Sequence, residues 1–432
     1  MNSIGALPRP GPPCSIAPVA SDYETENRVP RGFKPEPYSY HQEIKVEIES
    51  LTNMGQGVGR DNGWVVMTSF ALPGEHALVR IFRNNKSYSE ADLVQVLRPS
   101  PDRIDPVCPV FQKCGGCQYQ HFRYESQLEW KTRQVKELLW HMARIESEVL
   151  PAIPSPKTYG YRSKLTPHFP KPKAGKPIAI GFLKQGTRSK YIEIEQCPLI
   201  SEAMNQQLKT LRVRTQRLQE TKSFKKGATL LLREHMDGIA TDPKEIIRER
   251  VGNVTFSFPA GEFFQNNPSI LERFTSYVGQ RASQGNTSHL IDAYCGSGLF
   301  SLTSAHLFES VIGIEVSELS VQYASKNASI NNIENATFVL GDAASLFGQI
   351  KSNGNRSAVV IDPPRKGASA EFLHQLLDFQ PARIVYVSCN PATQMRDLNT
   401  LTQGGYAIEE IQPFDLFPQT KHLECVITLA KS

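Results

Sequence analysis

Cys389 lies in Ser388-Cys389-Asn390-Pro391, directly after Arg383-Ile384-Val385-Tyr386-Val387. That short, mostly apolar run reads as a buried strand. Pro391 cannot continue a sheet ladder and restricts the residue before it, so the strand should end here. The thiol is then expected at the carboxyl end of a strand, where open α/β sheets bind ligands. Four carboxylates stand at comparable places. Asp292 ends a run starting at Leu290, Glu315 ends Val311–Ile314, Asp342 follows Thr337–Leu340, and Asp362 follows Ala358–Ile361. Between the first two lies Cys295-Gly296-Ser297-Gly298, a turn whose glycines permit close backbone approach to a ligand at a helix N-terminus. An acid about 20 residues beyond such a turn can bond both hydroxyls of a ribose, which suits Glu315. A carboxylate at Asp342 can reach an adenine edge. A thiol beside an adenosine-bearing cofactor is the chemistry this pattern offers.

Glu424 opens the apolar run Cys425–Leu429. A carboxylate beside a buried strand can have a raised pKa and act as a base. On its own, a glutamate there is more simply a solvated strand end. A second set of thiols is Cys108, Cys114 and Cys117, in Cys108-Pro109-Val110-Phe111-Gln112-Lys113-Cys114-Gly115-Gly116-Cys117. Cys197, in Gln196-Cys197-Pro198, is the candidate fourth ligand. Four thiolates suit tetrahedral zinc or an iron–sulfur cube, and spacing does not choose between them.

The elements that must position these groups follow from periodicity. Residues 41–99 read as a series of short strands and hence a small barrel. Glu43–Glu49 alternates charged and apolar residues, Gly55–Arg60 reads as a glycine turn, and Trp64–Thr68, His76–Phe82 and Asp92–Leu97 read as strands. Residues 123–145 carry apolar positions at helical spacing, including Leu128, Val135, Leu139 and Met142. A basic helix is expected over Ser201–Glu220. From about residue 256, strands alternate with helices, which predicts a doubly wound parallel sheet. Residues 1–40, rich in Pro and Ser, read as a flexible tail.

Eight cysteines and no secretory leader argue against disulfides and for a cytoplasmic protein. No apolar run is long enough to span a membrane. The net charge of +5 is uneven. Residues 121–235 hold 22 Lys and Arg against 10 Asp and Glu, which points to a polyanion partner. Tyr159-Gly160-Tyr161-Arg162-Ser163-Lys164 and Gly181-Phe182-Leu183-Lys184 interleave aromatic and cationic residues as RNA-stacking surfaces do.

The first strand, the glycine turn and Ala71-Leu72-Pro73-Gly74-Glu75 resemble the TRAM domain, an OB-like RNA-binding barrel. Over residues 41–432 the motifs together resemble the RNA 5-methyluridine methyltransferase family. The resemblance implies an α/β multidomain protein. Residues 41–99 would be an OB-like TRAM β-barrel, 100–255 a mixed iron–sulfur, RNA-binding central domain, and 256–432 a class I S-adenosylmethionine-dependent methyltransferase domain of Rossmann-like fold. It implies Cys389 as nucleophile and Glu424 as base. Gln265, Tyr294, Glu315, Asp342 and Asp362 would bind S-adenosyl-L-methionine. Cys108, Cys114, Cys117 and Cys197 would hold a [4Fe-4S] cluster. Leu299 departs from members with a polar cofactor contact there. The expected substrate is RNA and the expected state a monomer. A barrel combined with a cluster favours a 23S-type rRNA uridine, and the T-loop uridine of tRNA is the alternative. An amino-group methyltransferase would carry an aromatic residue where Arg365 follows Pro363-Pro364. A non-catalytic RNA-binding protein would have no need of Cys389 and Glu424.

Overall fold

The computed structural model describes residues 29–172, 178–221, 224, 226–342, 350 and 353–431. Most of the expected N-terminal tail, and Ala343 after Asp342, lie outside them. The described residues form two compact units: one runs to Pro106 and adds Gln120–Arg123, and the other holds Val107–Tyr119 and Tyr124 onward.

The first unit is a closed barrel of β1 (Glu43–Leu51), β2 (Gln56–Asp61), β3 (Trp64–Ser69), β4 (His76–Asn84) and β5 (Tyr88–Arg98), in the order β1-β2-β3-β5-β4. The expected glycine turn at Gly55–Arg60 is instead mostly strand β2. Its glycines are there for packing. A Cβ at Gly59 would lie 2.4 Å from the Glu47 carbonyl oxygen, and one at Gly57 2.8 Å from that of Ala71. The Leu72–Glu75 motif also has a local cause. Glu75 is fully buried, accepts from the Leu72 amide at 2.8 Å and is paired with Arg103 at 2.7 Å. A buried carboxylate needs such partners.

The second unit begins with the cysteine-bearing turns and α1 (Tyr124–Leu138). The single helix expected over 123–145 ends early, in a π-turn at Leu139–Ala143 that Arg144 closes in the left-handed conformation. Val135 and Leu139 are buried as expected, but beyond the break Met142 is 42 % exposed. Short strands follow: β6 (Lys164–Leu165), β7 (His168–Phe169), β8 (Gly181–Leu183) and β9 (Tyr191–Glu193). Then come α2 (Glu202–Thr221), β10 (Ala228–Thr229), β11 (Leu232–His235) and β12 (Gly238–Ala240). They make two small sheets, β10-β7-β8-β9 and β12-β11-β6, followed by the hairpin of β13 (Ile246–Val251) and β14 (Val254–Pro259). Leu165, Ile200, Met204, Leu208 and Leu232 form the core under α2. Tyr161, expected to stack on bases, is buried, and its hydroxyl donates to the Pro418 carbonyl at 3.1 Å. Lys164 spends its ammonium on the Gly261 and Glu262 carbonyls.

The rest is the doubly wound sheet. Its strands are β15 (His289–Ala293), β16 (Ser310–Glu315), β17 (Ala336–Leu340), β18 (Ser357–Ile361), β19 (Arg383–Ser388), β20 (Tyr406–Phe414) and β21 (Glu424–Lys431). Their order is β17-β16-β15-β18-β19-β21-β20, parallel through β19 and antiparallel at the last two. Side chains alternate between two cores, as strand geometry requires. Val385 and Val387 enter one with α3 (Pro268–Ala282) and α4 (Leu299–Ser304). Ile384 and Tyr386 enter the other with α6 (Ala370–Phe379) and α7 (Pro391–Gln403). Between β16 and β17 lies α5 (Glu318–Ile330). No helix among the described residues is long and apolar enough to cross a membrane.

Candidate active site

Strand register places the chemistry along one edge of this sheet. Ala293 pairs with both Ile314 and Ile361, and Ile361 with Tyr386. Glu315 pairs with Leu340. Ser388 pairs with Cys425. One residue beyond that last pair are Cys389 on β19's exit and Glu424 on β21's entry. The edge therefore runs Asp342, Glu315, Tyr294, Asp362, Cys389, Glu424.

The Cys389 thiol is half-buried. Burial pushes its pKa up to about 11, and the neighbouring Glu424 and Asp362 carboxylates add to the rise. Arg365 opposes them through its charge and a hydrogen bond to the thiol. Glu424 is 3 % exposed, and its carboxyl is held well above the usual range by burial and then by Asp362, with Arg365 again opposing. Asp362 itself is raised to about 7 by burial and by Asp292. These effects place Asp362 and Arg365 within reach of both Cys389 and Glu424. The Asn390 side chain donates to the Arg365 carbonyl at 2.8 Å and ties the Asp362–Gly367 loop to the turn that carries Cys389. Gly367, at φ +81, lets that loop lie against α7, where a Cβ would meet Asp397 at 2.6 Å. Gln394 of α7 donates to the Tyr386 and Cys425 carbonyls and so bridges β19 and β21, the strands flanked by Cys389 and Glu424.

The other end of the edge fits an adenosine-bearing cofactor. Glu315 accepts from the backbone amides of Gly296 at 3.1 Å and Ser317 at 2.9 Å, so its carboxylate is fixed in place. Each oxygen keeps a lone pair for a ribose hydroxyl. At Gly296, φ +55, no atom lies within 4 Å of where a Cβ would stand. Tyr294 is held at φ +75, a sparsely populated conformation for a tyrosine, and its ring packs edge-on against Phe372. Burial and then the Asp342 charge push its hydroxyl up to about 12, which places Asp342 close by. Gln265 is 8 % exposed, in the segment between β14 and α3. Asp292 differs from the expectation. It is fully buried under the glycine turn and accepts from the Ser301 amide and hydroxyl of α4. Its role is to seat the turn.

The cysteine-rich region does not match its expectation. Cys108, Cys114, Cys117 and Cys197 are reduced thiols, each half-buried. Three of them feel one another: the Cys108 charge raises Cys114, and both raise Cys197, which burial pushes to about 11. Yet no three His, Cys, Asp or Glu side chains among the described residues are arranged to hold a metal ion. The expected [4Fe-4S] centre, and with it an iron–sulfur central domain, lacks structural support.

The profile described as tRNA (Uracil-5-)-methyltransferase matches residues 244–432, and that of the TRAM domain matches 41–94. A tRNA (uracil(54)-C(5))-methyltransferase of Schizosaccharomyces pombe is 44% identical over 91% of this chain and 79% of its own length. The chain belongs to the tRNA (uracil-5-)-methyltransferase family. It is an S-adenosylmethionine-dependent RNA uracil-C5 methyltransferase. The Saccharomyces cerevisiae enzyme of the same description is 34% identical over 91% of this chain and 74% of its own. The crystal structure of Pyrococcus abyssi tRNA (uracil-54, C5)-methyltransferase in complex with S-adenosyl-L-homocysteine superposes with a TM-score of 0.69. It is 26% identical and covers 90% of this chain and 100% of its own. These relatives favour tRNA over the rRNA substrate expected from the motif combination.

Two features of this uracil methyltransferase escaped the sequence reading. Arg365 served there only to reject another reaction class, yet it is the cation set against both Cys389 and Glu424. Its place after two prolines at a strand end was the available signal. Phe263 is 76 % exposed, two residues from Gln265, and two consecutive phenylalanines were the hint.

Proposed function

We propose that this enzyme methylates C5 of the T-loop uridine of tRNA, its relatives being named for C5 of tRNA uracil 54, through a covalent Cys389 adduct with Glu424 as base. The observation that carries this reading is the β19–β21 pairing, Ser388 with Cys425, which sets Cys389 and Glu424 side by side. Uracil C5 is a poor nucleophile. Addition of the Cys389 thiolate forms an S–C6 bond and moves the C5=C6 electrons into an enolate, and C5 then becomes nucleophilic. S-adenosyl-L-methionine supplies the methyl group. Glu424 takes the C5 proton, and the returning electrons expel Cys389. Arg365 favours the thiolate before attack. The raised pKa of Glu424 makes it a stronger base once ionised.

Gln265, Tyr294, Glu315, Asp342 and Asp362 are the residues we assign to the cofactor. The target base must leave its stack to reach a thiol at a sheet edge. We assign residues 41–99 and 100–255 to holding the RNA, residues 256–432 to the reaction, and the enzyme's working state to a cytoplasmic monomer. The test is transfer of labelled methyl to an unmodified tRNA transcript and to a large-subunit rRNA fragment, with nucleoside analysis. Label in 5-methyluridine of the tRNA is expected. Label confined to the rRNA fragment would overturn the substrate, and label in another nucleoside would overturn the reaction.

A further inference from the structure

Phe414 and Glu424 pair across β20 and β21, so the residues between them form a closed excursion that ends on the base. Loops normally run over the surface, because buried backbone needs partners. This one is mostly buried: Asp415, Leu416, Gln419, Thr420 and Leu423 are each 5 % exposed or less. Two of its partners are buried side chains of α1. Lys131, itself fully buried, donates to Asp415 at 2.7 Å and to the Phe417 carbonyl at 3.3 Å. Gln127 and Gln419 exchange two bonds: the Gln127 amide donates to Gln419 Oε1 at 3.0 Å, and the Gln419 backbone donates to Gln127 Oε1 at 3.1 Å. The Gln419 carbonyl accepts from the Gln118 and Tyr119 amides. Gln419 is also held at φ +67, a conformation that needs such support in a non-glycine residue.

The far end of this excursion faces the reaction centre. His422 is driven down to about 4 by burial and then by Arg365, the same cation that acts on Cys389. Nothing in the chemistry of methyl transfer requires a buried lysine–aspartate pair in the loop before the base. A buried pair is a poor source of stability and a good source of a unique conformation. We propose that Lys131 and Gln127 of α1 are positioning residues, which clamp the Asp415–Glu424 segment so that the Glu424 carboxylate meets the C5 proton. The inference rests on the reading of Glu424 as the base.

That role has a signature which general weakening of the fold lacks. Cys389 addition and methyl transfer precede the step at Glu424. Misplacing the base therefore slows C5 deprotonation and leaves the methylated RNA attached through the S–C6 bond. The experiment compares Gln127→Leu, Lys131→Met and Glu424→Gln with the unaltered enzyme. It measures released 5-methyluridine, the KM for S-adenosyl-L-methionine and the SDS-stable protein–RNA adduct in full-length protein. Gln127→Leu leaves no charge unpaired and guards against misfolding of Lys131→Met. The expected result is a fall in kcat of about 10–100-fold, as for a reacting group displaced by about an ångström. The KM should stay within about twofold, and the adduct should accumulate as in Glu424→Gln. Adduct and product falling together in Gln127→Leu and Lys131→Met, with adduct accumulating in Glu424→Gln, would overturn the positioning role alone. No adduct in Glu424→Gln would overturn the base assignment, and the positioning role with it.

Discussion

Cys389 leaves a six-residue strand whose residues are all buried and whose neighbours β18 and β21 pair with it in continuous register. Cys108, Cys114, Cys117 and Cys197 sit in turns and loops, and only Cys114 makes even an isolated bridge, to Lys184. Both regions were picked out by the same residue type at suggestive spacing. In the first, each strand end inherits its place from a ladder of backbone hydrogen bonds, so adjacency in register becomes adjacency of side chains. In the second, the cysteines lie in turns and loops, and no ladder of strand pairing fixes their places.

The contrast can be broken from either side. Cys389→Ala should have the largest effect, a loss of methyl transfer of at least roughly 10³-fold with cofactor binding retained, because the covalent step has no substitute. Isothermal titration with S-adenosyl-L-homocysteine beside a turnover assay would check it. Next is Arg365→Met. Arg365 pulls both Cys389 and Glu424 down, so its removal raises both. A thiol raised further ionises at higher pH, so the rise of kcat with pH should move to more alkaline values. Turnover near neutral pH should fall roughly tenfold or more and recover in part as pH increases. An unshifted pH profile would remove Arg365 from the site. The smallest effect is expected for Cys114→Ser, with kcat of the folded enzyme within about twofold, since no step passes through that thiol. A loss matching Cys389→Ala would make the cysteine-rich region part of the reaction machinery.

What could be read in the sequence follows the same division. The strands ending at Asp362 and Cys389 were visible because fully buried parallel strands are short apolar runs with abrupt ends. The acid Glu315 was visible because its distance from the glycine turn is set by one helix and one strand. Gly57 and Gly59 were misread as a turn because a glycine required by close packing looks, in sequence, like one required by φ. Asp292 was misplaced because a strand-end acid that caps a helix carries the same letter as one that faces a ligand. The Lys131–Asp415 pair was invisible, since its members are far apart in the chain and a buried lysine on an amphipathic helix resembles its solvated neighbours. Arg365 needed the fold to show which groups it faces.

The central claim is that Cys389 bonds to the target uridine. It is tested most directly with a tRNA transcript carrying 5-fluorouracil, in which C5 holds fluorine in place of the proton that the base removes. Incubation with S-adenosyl-L-methionine, followed by proteolysis and mass spectrometry, should find a methylated fluorouridine nucleotide on the peptide containing Cys389. An adduct on any other cysteine, or none from enzyme that methylates the unfluorinated transcript, would contradict it.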